Sequence, residues 1–284
     1  MNIFKNKIQI ILTLIFLGYV AWWASFQSVV QSQGRSVQWF GATYGVVALI
    51  GAVTGLVASR KWGGYKTIMG RALLFYALGL FAQEAGQIIY TYYIYGAKIQ
   101  IPYPSWGDLA YFGSVLLYIY ATILLAKAVG IRFSLKLKKY RIITFLVFAV
   151  ILSTSYWVFL HGHQYDWGKP LTSFLDFGYP MGQAVYISLA VTAYLLSRKM
   201  LGGVMRDGIL VIILALAVQY FSDFTFLYQS SRGTWLTGRW NDLSYLVAYF
   251  VMAMAMVKFN LIYSGLRKKK STIINTPADG GAQE

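Results

Sequence analysis

Residues 209–229 read ILVIILALAVQYFSDFTFLYQ. The stretch opens on an unbroken apolar run, and it has the length of a helix crossing the ~30 Å hydrocarbon core of a bilayer, for which ~20 residues are needed. Working outward, stretches of the same kind recur at 8–26, 38–58, 72–94, 106–128, 142–161, 173–196 and 242–262. Composition points the same way: of 284 residues 58% are apolar and 12% charged, where soluble domains carry about 25% charged residues. This composition disfavours a soluble globule and excludes a disordered chain. The sequence predicts an all-α integral membrane protein, an eight-transmembrane-helix bundle forming a single domain over 1–262. A basic and then polar, disordered cytoplasmic tail is expected over 263–284. The first stretch reads as a retained span: it is too long for a signal-peptide core, lacks a small-residue cleavage site, and closes on Trp22 and Trp23 as interface anchors.

A net charge of +16 would suit a nucleic-acid partner if the basic residues were gathered in one soluble patch. Their distribution between spans says otherwise. With the N-terminus inside, Lys5, Lys7, Arg60, Lys61, Lys66, Arg71, Lys127, Arg132, Lys136, Lys138, Lys139, Arg141, Arg198, Lys199, Arg206, Lys258 and Arg267–Lys270 all fall on the inner side. Arg35, Lys98, Lys169, Arg232 and Arg239 fall outside. Twenty against five, alternating at every loop, obeys the positive-inside rule. Eight spans in the cell membrane with both termini cytoplasmic are therefore expected, with membrane lipids as partners and no nucleic acid. The chain has no cysteine, so disulfides, thiolate catalysis and Cys-ligated metals are excluded and the redox compartment is unread.

A short repeat runs through the spans. Ser105-Trp-Gly-Asp108-Leu-Ala-Tyr111, Ser173-Phe-Leu-Asp176-Phe-Gly-Tyr179 and Arg239-Trp-Asn-Asp242-Leu-Ser-Tyr245 open the fourth, sixth and eighth spans alike, at intervals of 68 and 66 residues. One helical hairpin occupies that interval, so the chain reads as stacked hairpins of one unit. On the outgoing spans the comparison aligns Glu84 with Asp223, and places Ser153-Thr154-Ser155 midway. In the second span Gly41, Gly45, Ala48, Ala52 and Gly55 form a small-residue stripe that permits close helix approach.

The acids divide into two groups. Asp108 and Asp176 each follow a Ser by three residues, a capping-box spacing with Asp in place of Glu, and Asp242 lies in the first turn of its span. Glu84 and Asp223 have no such explanation. A carboxylate at the bilayer centre costs on the order of 2.5–3.5 kcal/mol unless it is paired or wetted. Gln83, Gln87, Tyr90 and Thr91 share a helical face with Glu84, and Gln219, Tyr220 and Ser222 lie close to Asp223, so both stripes should turn inward. They predict a polar cavity opening to the outside, with Arg232 and Arg239 as lids or counter-charges; the plainer reading is a hydrogen-bond network that fixes helix register. His161 and His163 lack a third ligand placed near them by sequence, and no metal or other cofactor is expected. Tyr90, Tyr92, Tyr93, Tyr95, Tyr103 and Trp106 read as an interfacial belt, or more sharply as an aromatic-walled mouth.

The segment Pro102-Tyr103-Pro104-Ser105-Trp106-Gly107-Asp108-Leu109-Ala110-Tyr111 resembles the PxPSxxDxxY segment of the multi-pass N-terminal membrane sensor region of bacterial GGDEF/EAL (cyclic-di-GMP signalling) proteins. The resemblance extends over most of residues 38–258. Tyr179-Pro180-Met-Gly-Gln183 is similar to that family's YPxxD, Gln219-Tyr-Phe-Ser-Asp223 to the Asp-bearing end of its seventh helix, and Gly238-Arg-Trp-Asn-Asp242 to the opening of its last helix. Glu84 stands where the family usually has Asp, Gln183 replaces a carboxylate, and no GGDEF output domain follows. The resemblance implies sensing, and no residues for catalysis.

The expected function is thus a stand-alone membrane sensor or binding module, not an enzyme, taking a small or lipid-like ligand in the outer cavity and signalling to a separate cytoplasmic protein. Its candidate ligand-binding residues are Gln83, Glu84, Gln87, Asp108, Tyr111, Asp176, Tyr179, Gln183, Gln219, Asp223, Arg239 and Asp242. The alternative is a proton- or solute-coupled transporter, which mid-membrane carboxylates and repeated hairpins would also suit. An intramembrane enzyme is disfavoured, because neither a Ser–His pair within the spans nor an HExxH motif is present.

Overall fold

Every apolar stretch forms a helix, as it must where no water is present to satisfy a bare backbone. The computed structural model describes residues 7–99, 101–129, 138–161, 168–197 and 204–275, and among them nine α-helices and no strand. They are α1 (Lys7–Ser25), α2 (Arg35–Thr43), α3 (Val46–Lys61), α4 (Ile68–Thr91), α5 (Trp106–Ala128), α6 (Lys138–Ser155), α7 (Pro170–Ser197), α8 (Arg206–Ser231) and α9 (Trp240–Asn275). Seven helical segments are long and apolar enough to cross a membrane: Lys7–Ser25, Arg35–Lys61, Ile68–Gly96, Trp106–Ala128, Lys138–Val158, Arg206–Ser230 and Trp240–Arg267. This fits a multi-pass membrane protein. Helix α7 has the length, at 28 residues, but is not among the seven. Its buried Asp176, Gln183, Ser188 and Thr192 dilute its apolar character while facing the protein interior. Lys5, Arg132, Lys136, His163, Asp166, Arg198, Lys199 and residues 276–284 lie outside the described residues.

The boundaries differ from the sequence expectation in three places. The second span is two helices, because the chain tightens into i→i+3 bonds at Tyr44 and Gly45, with Val47 N donating to Tyr44 O and Ala48 N to Gly45 O. The last helix continues to Asn275, past the 262 boundary from which a tail was expected. Leu261, Ile262 and Leu266 keep its apolar side packed beyond that point, and lysines and arginine are good helix formers. Helix α7 begins at Pro170, so Asp176 lies in its second turn and Ser173 is not its N-cap. Proline at a helix start, where its missing N–H is no loss, explains the earlier beginning. The Ser105–Asp108 capping box, by contrast, is formed in full.

Packing closes six helices into a ring, with α3 against α4, α4 against α5, α5 against α7, α7 against α8, α8 against α9, and α9 back against α3. Helix α1 lies outside the ring on α9, and α6 outside it on α7. Ile142, Phe145, Leu146 and Val150 of α6 are exposed, a face suited to lipid chains. Inside the ring four tyrosines from four helices, Tyr76, Tyr118, Tyr186 and Tyr249, are fully buried. Small residues admit them: the ring of Tyr118 lies over Gly79, and that of Tyr111 lies 2.8 Å from where a Cβ on Gly86 would stand. The α3 stripe works the same way, since Gly51 faces Ala253 and Gly55 faces Ala77 and Met256, so α3 approaches both α4 and α9 closely.

Candidate functional site

The helix ends nearest the 97–105 and 232–239 connections enclose a cavity. It leaves about 40 Å³ for the centres of water-sized atoms, where one water needs ~10–15 Å³. Its wall comprises Gly41 and Tyr44 at the end of α2; Gln87, Tyr90 and Thr91 of α4, with Ile94 and Tyr95 from the π-helical turn that follows; Asp108 and Tyr111 of α5; and Tyr179 of α7. Phe226, Leu227 and Asp223 of α8, Trp235 and Thr237 of the connection, and Asn241, Asp242 and Tyr245 of α9 complete it.

Three carboxylates reach this wall, each held differently. Asp223, near the C-terminal part of α8, is 7% exposed and accepts from Gln183 Nε2 at 2.6 Å, Gln219 Nε2 at 3.0 Å and Tyr245 Oη at 2.8 Å. Three helices are tied together at that one side chain. Asp108 serves the capping box, its Oδ2 accepting from Ser105 N and Oγ at 2.7 and 2.8 Å, while Oδ1 accepts from Tyr90 Oη at 3.1 Å. Asp242 accepts from Gly238 N at 2.7 Å through Oδ2; no donor among the described residues reaches its Oδ1. A carboxylate beside the first free N–H groups of a helix is favoured by those groups and by the dipole, which explains Asp108 and Asp242 locally.

Of the twelve residues expected from sequence, Gln87, Asp108, Tyr111, Tyr179, Asp223 and Asp242 line the cavity. Gln83, Gln183 and Gln219 sit one turn deeper on α4, α7 and α8. Gln83 donates to Ser114 Oγ at 2.6 Å and accepts from Tyr249 Oη at 3.1 Å; the other two hold Asp223. The remaining three lie elsewhere. Glu84 turns away from the wall: its carboxylate packs on Gly45, with Oε2 buried and without a hydrogen-bond partner. Asp176 accepts from Tyr103 Oη at 2.7 Å. Burial, and the carboxylate beside it, push the Tyr103 hydroxyl well above the ordinary tyrosine range, so it remains a donor. Arg239 ends α9 at its N-terminal side with Nε buried and unpartnered, and is not part of the wall. Arg232 stacks on the Tyr228 ring, 4.2 Å from its centre, rather than over the cavity.

The structure also corrects the internal alignment. Tyr111 Oη donates to Gln87 Oε1 at 3.1 Å, as Tyr245 Oη donates to Asp223 Oδ1. Gln87 is thus the counterpart of Asp223, and Gln83 that of Gln219, both pairs lying 136 residues apart. Glu84 has no counterpart there. Of the aromatic cluster, Tyr92 and Trp106 are exposed as a belt would be, whereas Tyr90 and Tyr95 belong to the wall. His161 stacks on Trp157 with ring centres 5.2 Å apart.

Residues outside the twelve supply the wall's polar atoms that lack partners. Thr91 Oγ1, Tyr95 Oη, Trp235 Nε1 and Asn241 Oδ1 are buried at the wall without a hydrogen bond. Asn241 Nδ2 donates to Ser222 O and Thr225 Oγ1, both at 2.8 Å. Buried polar atoms normally have partners, so four unpartnered ones around one cavity mark a place where something else completes the bonding. Thr91 stands on the polar face and Tyr95 in the aromatic cluster read from sequence, Asn241 lies one residue before a repeated Asp, and Trp235 alone carried no signal. No protein-family model, characterised protein or solved structure matches the chain.

Proposed function

We propose that the chain is a multi-pass sensor of the bacterial cell membrane, with eight spans and both termini in the cytoplasm, that takes a ligand in this cavity from the outer side and passes a helix shift to a cytoplasmic partner. The resemblance to membrane sensor regions of GGDEF/EAL proteins supports this reading, as does the positive-inside pattern. With α7 as the eighth span, the cavity faces outward. The observation that carries the proposal is the cavity itself, with unpartnered polar atoms from three segments on its wall. A ligand shifts a two-state bundle only by its difference in affinity for the two states, and a wall drawn from five ring-associated helices, α2, and one connection offers that difference.

Thermal unfolding of the full chain in detergent, screened against a library of small polar and amphiphilic compounds, tests it. At least one compound should raise the wild-type Tm with dose and fail to raise that of Asn241→Leu. Unchanged melting of the wild type across the library would count against a ligand site. The second reading, a carrier, is favoured by one feature: hydrogen-bonding side chains continue from the cavity into the ring through Gln87, Gln83 and Ser114. Uptake of a bound compound into proteoliposomes would promote that reading over sensing.

A further inference from the structure

We infer that the cavity is built for an organic cation, a primary ammonium carried on an apolar body. The inference rests on the cavity being a ligand site and names the chemistry of its ligand.

Charge is the first argument. Asp108, Asp223 and Asp242 all line the wall, and neither lysine nor arginine does. The nearest basic residue in sequence, Arg239, stands outside it. A ligand bearing a carboxylate or phosphate would enter among these three acids with no basic group on the wall to meet it, whereas an ammonium would be drawn in.

Hydrogen bonding is the second and independent argument. Asn241 is 2% exposed and its amide orientation is fixed by its partners. Ser222 O is a carbonyl that can only accept, so the nitrogen must face it and Oδ1 must face the other way. Asn241 Oδ1 is therefore a buried acceptor with no donor, and on the adjacent residue Asp242, 3% exposed, spends Oδ2 on Gly238 N and leaves Oδ1 as a second acceptor. Two neighbouring acceptors on a wall of acids need N–H groups, and an ammonium has three. Thr91 Oγ1 offers a third acceptor.

The body of the ligand is set by the rest of the wall, where tyrosine rings, Phe226 and Trp235 dominate. Aromatic faces attract cations, by an amount that grows when water is excluded, and they also accept an apolar or aromatic group. Trp235 Nε1, a donor only, leaves room for one accepting group on that body.

The test measures binding to the full chain in nanodiscs by calorimetry with three probes of similar shape: phenethylamine, its neutral isostere 2-phenylethanol, and 3-phenylpropanoate. Phenethylamine should bind about tenfold or more tightly than the alcohol, and the acid should not bind. In Asp242→Asn, checked for folding by circular dichroism, the preference of amine over alcohol should fall towards one. The comparison of probes on wild-type protein stands even if the variant does not fold. Equal binding of amine and alcohol, or tighter binding of the acid, overturns the cation and leaves the cavity a ligand site. No binding of any probe at millimolar concentration overturns the ammonium too, while the compound screen separately decides whether the cavity takes a ligand.

Discussion

At the scale of the residue, the arrangement around Asp223 decides more than any other. Interhelical hydrogen bonds between membrane helices contribute ~0.6 kcal/mol on average and up to about 1.7. Tyr245→Phe removes one such bond and should lower unfolding stability by an amount in that range. Asp223→Ala should cost more than the three separate bonds suggest, because Gln183, Gln219 and Tyr245 would all be left as buried donors without an acceptor. Unfolding followed in mixed detergent checks the order: wild type, then Tyr245→Phe, then Asp223→Ala, with near-equal effects refuting the shared junction. Asp223 was legible in the sequence, since a carboxylate inside an apolar stretch demands an explanation. Glu84 was equally conspicuous and yet lies off the cavity, because spacing along a helix assigns a face only to within a residue. Gln87, one turn on, takes the place expected of it.

Among elements, the α4–α5 pair is arranged by glycine and tyrosine in step. Gly79 and Gly86, two turns apart, receive Tyr118 and Tyr111, two turns apart on the antiparallel partner. A side chain at either glycine meets a ring with nowhere to go. Gly79→Leu and Gly86→Leu should each destabilise by about 1–3 kcal/mol, the usual cost of overpacking. Gly113 on α5 has no atom within 4 Å of a built Cβ, and Gly113→Ala should stabilise by up to about 1 kcal/mol through helix propensity alone. Thermal unfolding of the three variants side by side measures the contrast, and equal losses at all three would remove the register argument. Apolar length and turn residues made the helices readable, with α5 ending where its sequence suggests. Their partners were not readable. Asn241 meets Ser222 across a connection, and Gln87 meets Gly41 O, 46 positions away in sequence; neither distance leaves a local pattern.

For the whole molecule, the ring explains why polar residues concentrate as they do. Six helices share an interior that no lipid reaches, so tyrosine, glutamine and aspartate are tolerated there, while α1 and α6 outside it stay apolar. The sidedness proposed from the basic residues has a direct check. The chain contains no cysteine, so single replacements report without background. In intact cells, Lys98→Cys and Arg232→Cys should react with a membrane-impermeant maleimide, whereas Lys61→Cys and Lys66→Cys should react only after permeabilisation. Labelling of Lys61→Cys in intact cells would reverse the orientation, and with it the side from which the cavity is filled.

Helix α9 reaches from the cavity wall, at Asn241 and Asp242, to Asn275 as one uninterrupted element of 36 residues. At 1.5 Å per residue it is about 54 Å long, well beyond the ~30 Å of hydrocarbon it has to cross. Pivoted at its cavity end, such a rod works as a lever: a tilt of about 5° sweeps its far end through roughly 5 Å, the length of one helical turn. If the cavity takes a ligand as proposed, a tilt of the rod set by a few atoms beside the pivot would reach the far end, without any hinge along the way, as a displacement large enough to change which surface that end presents to its neighbours.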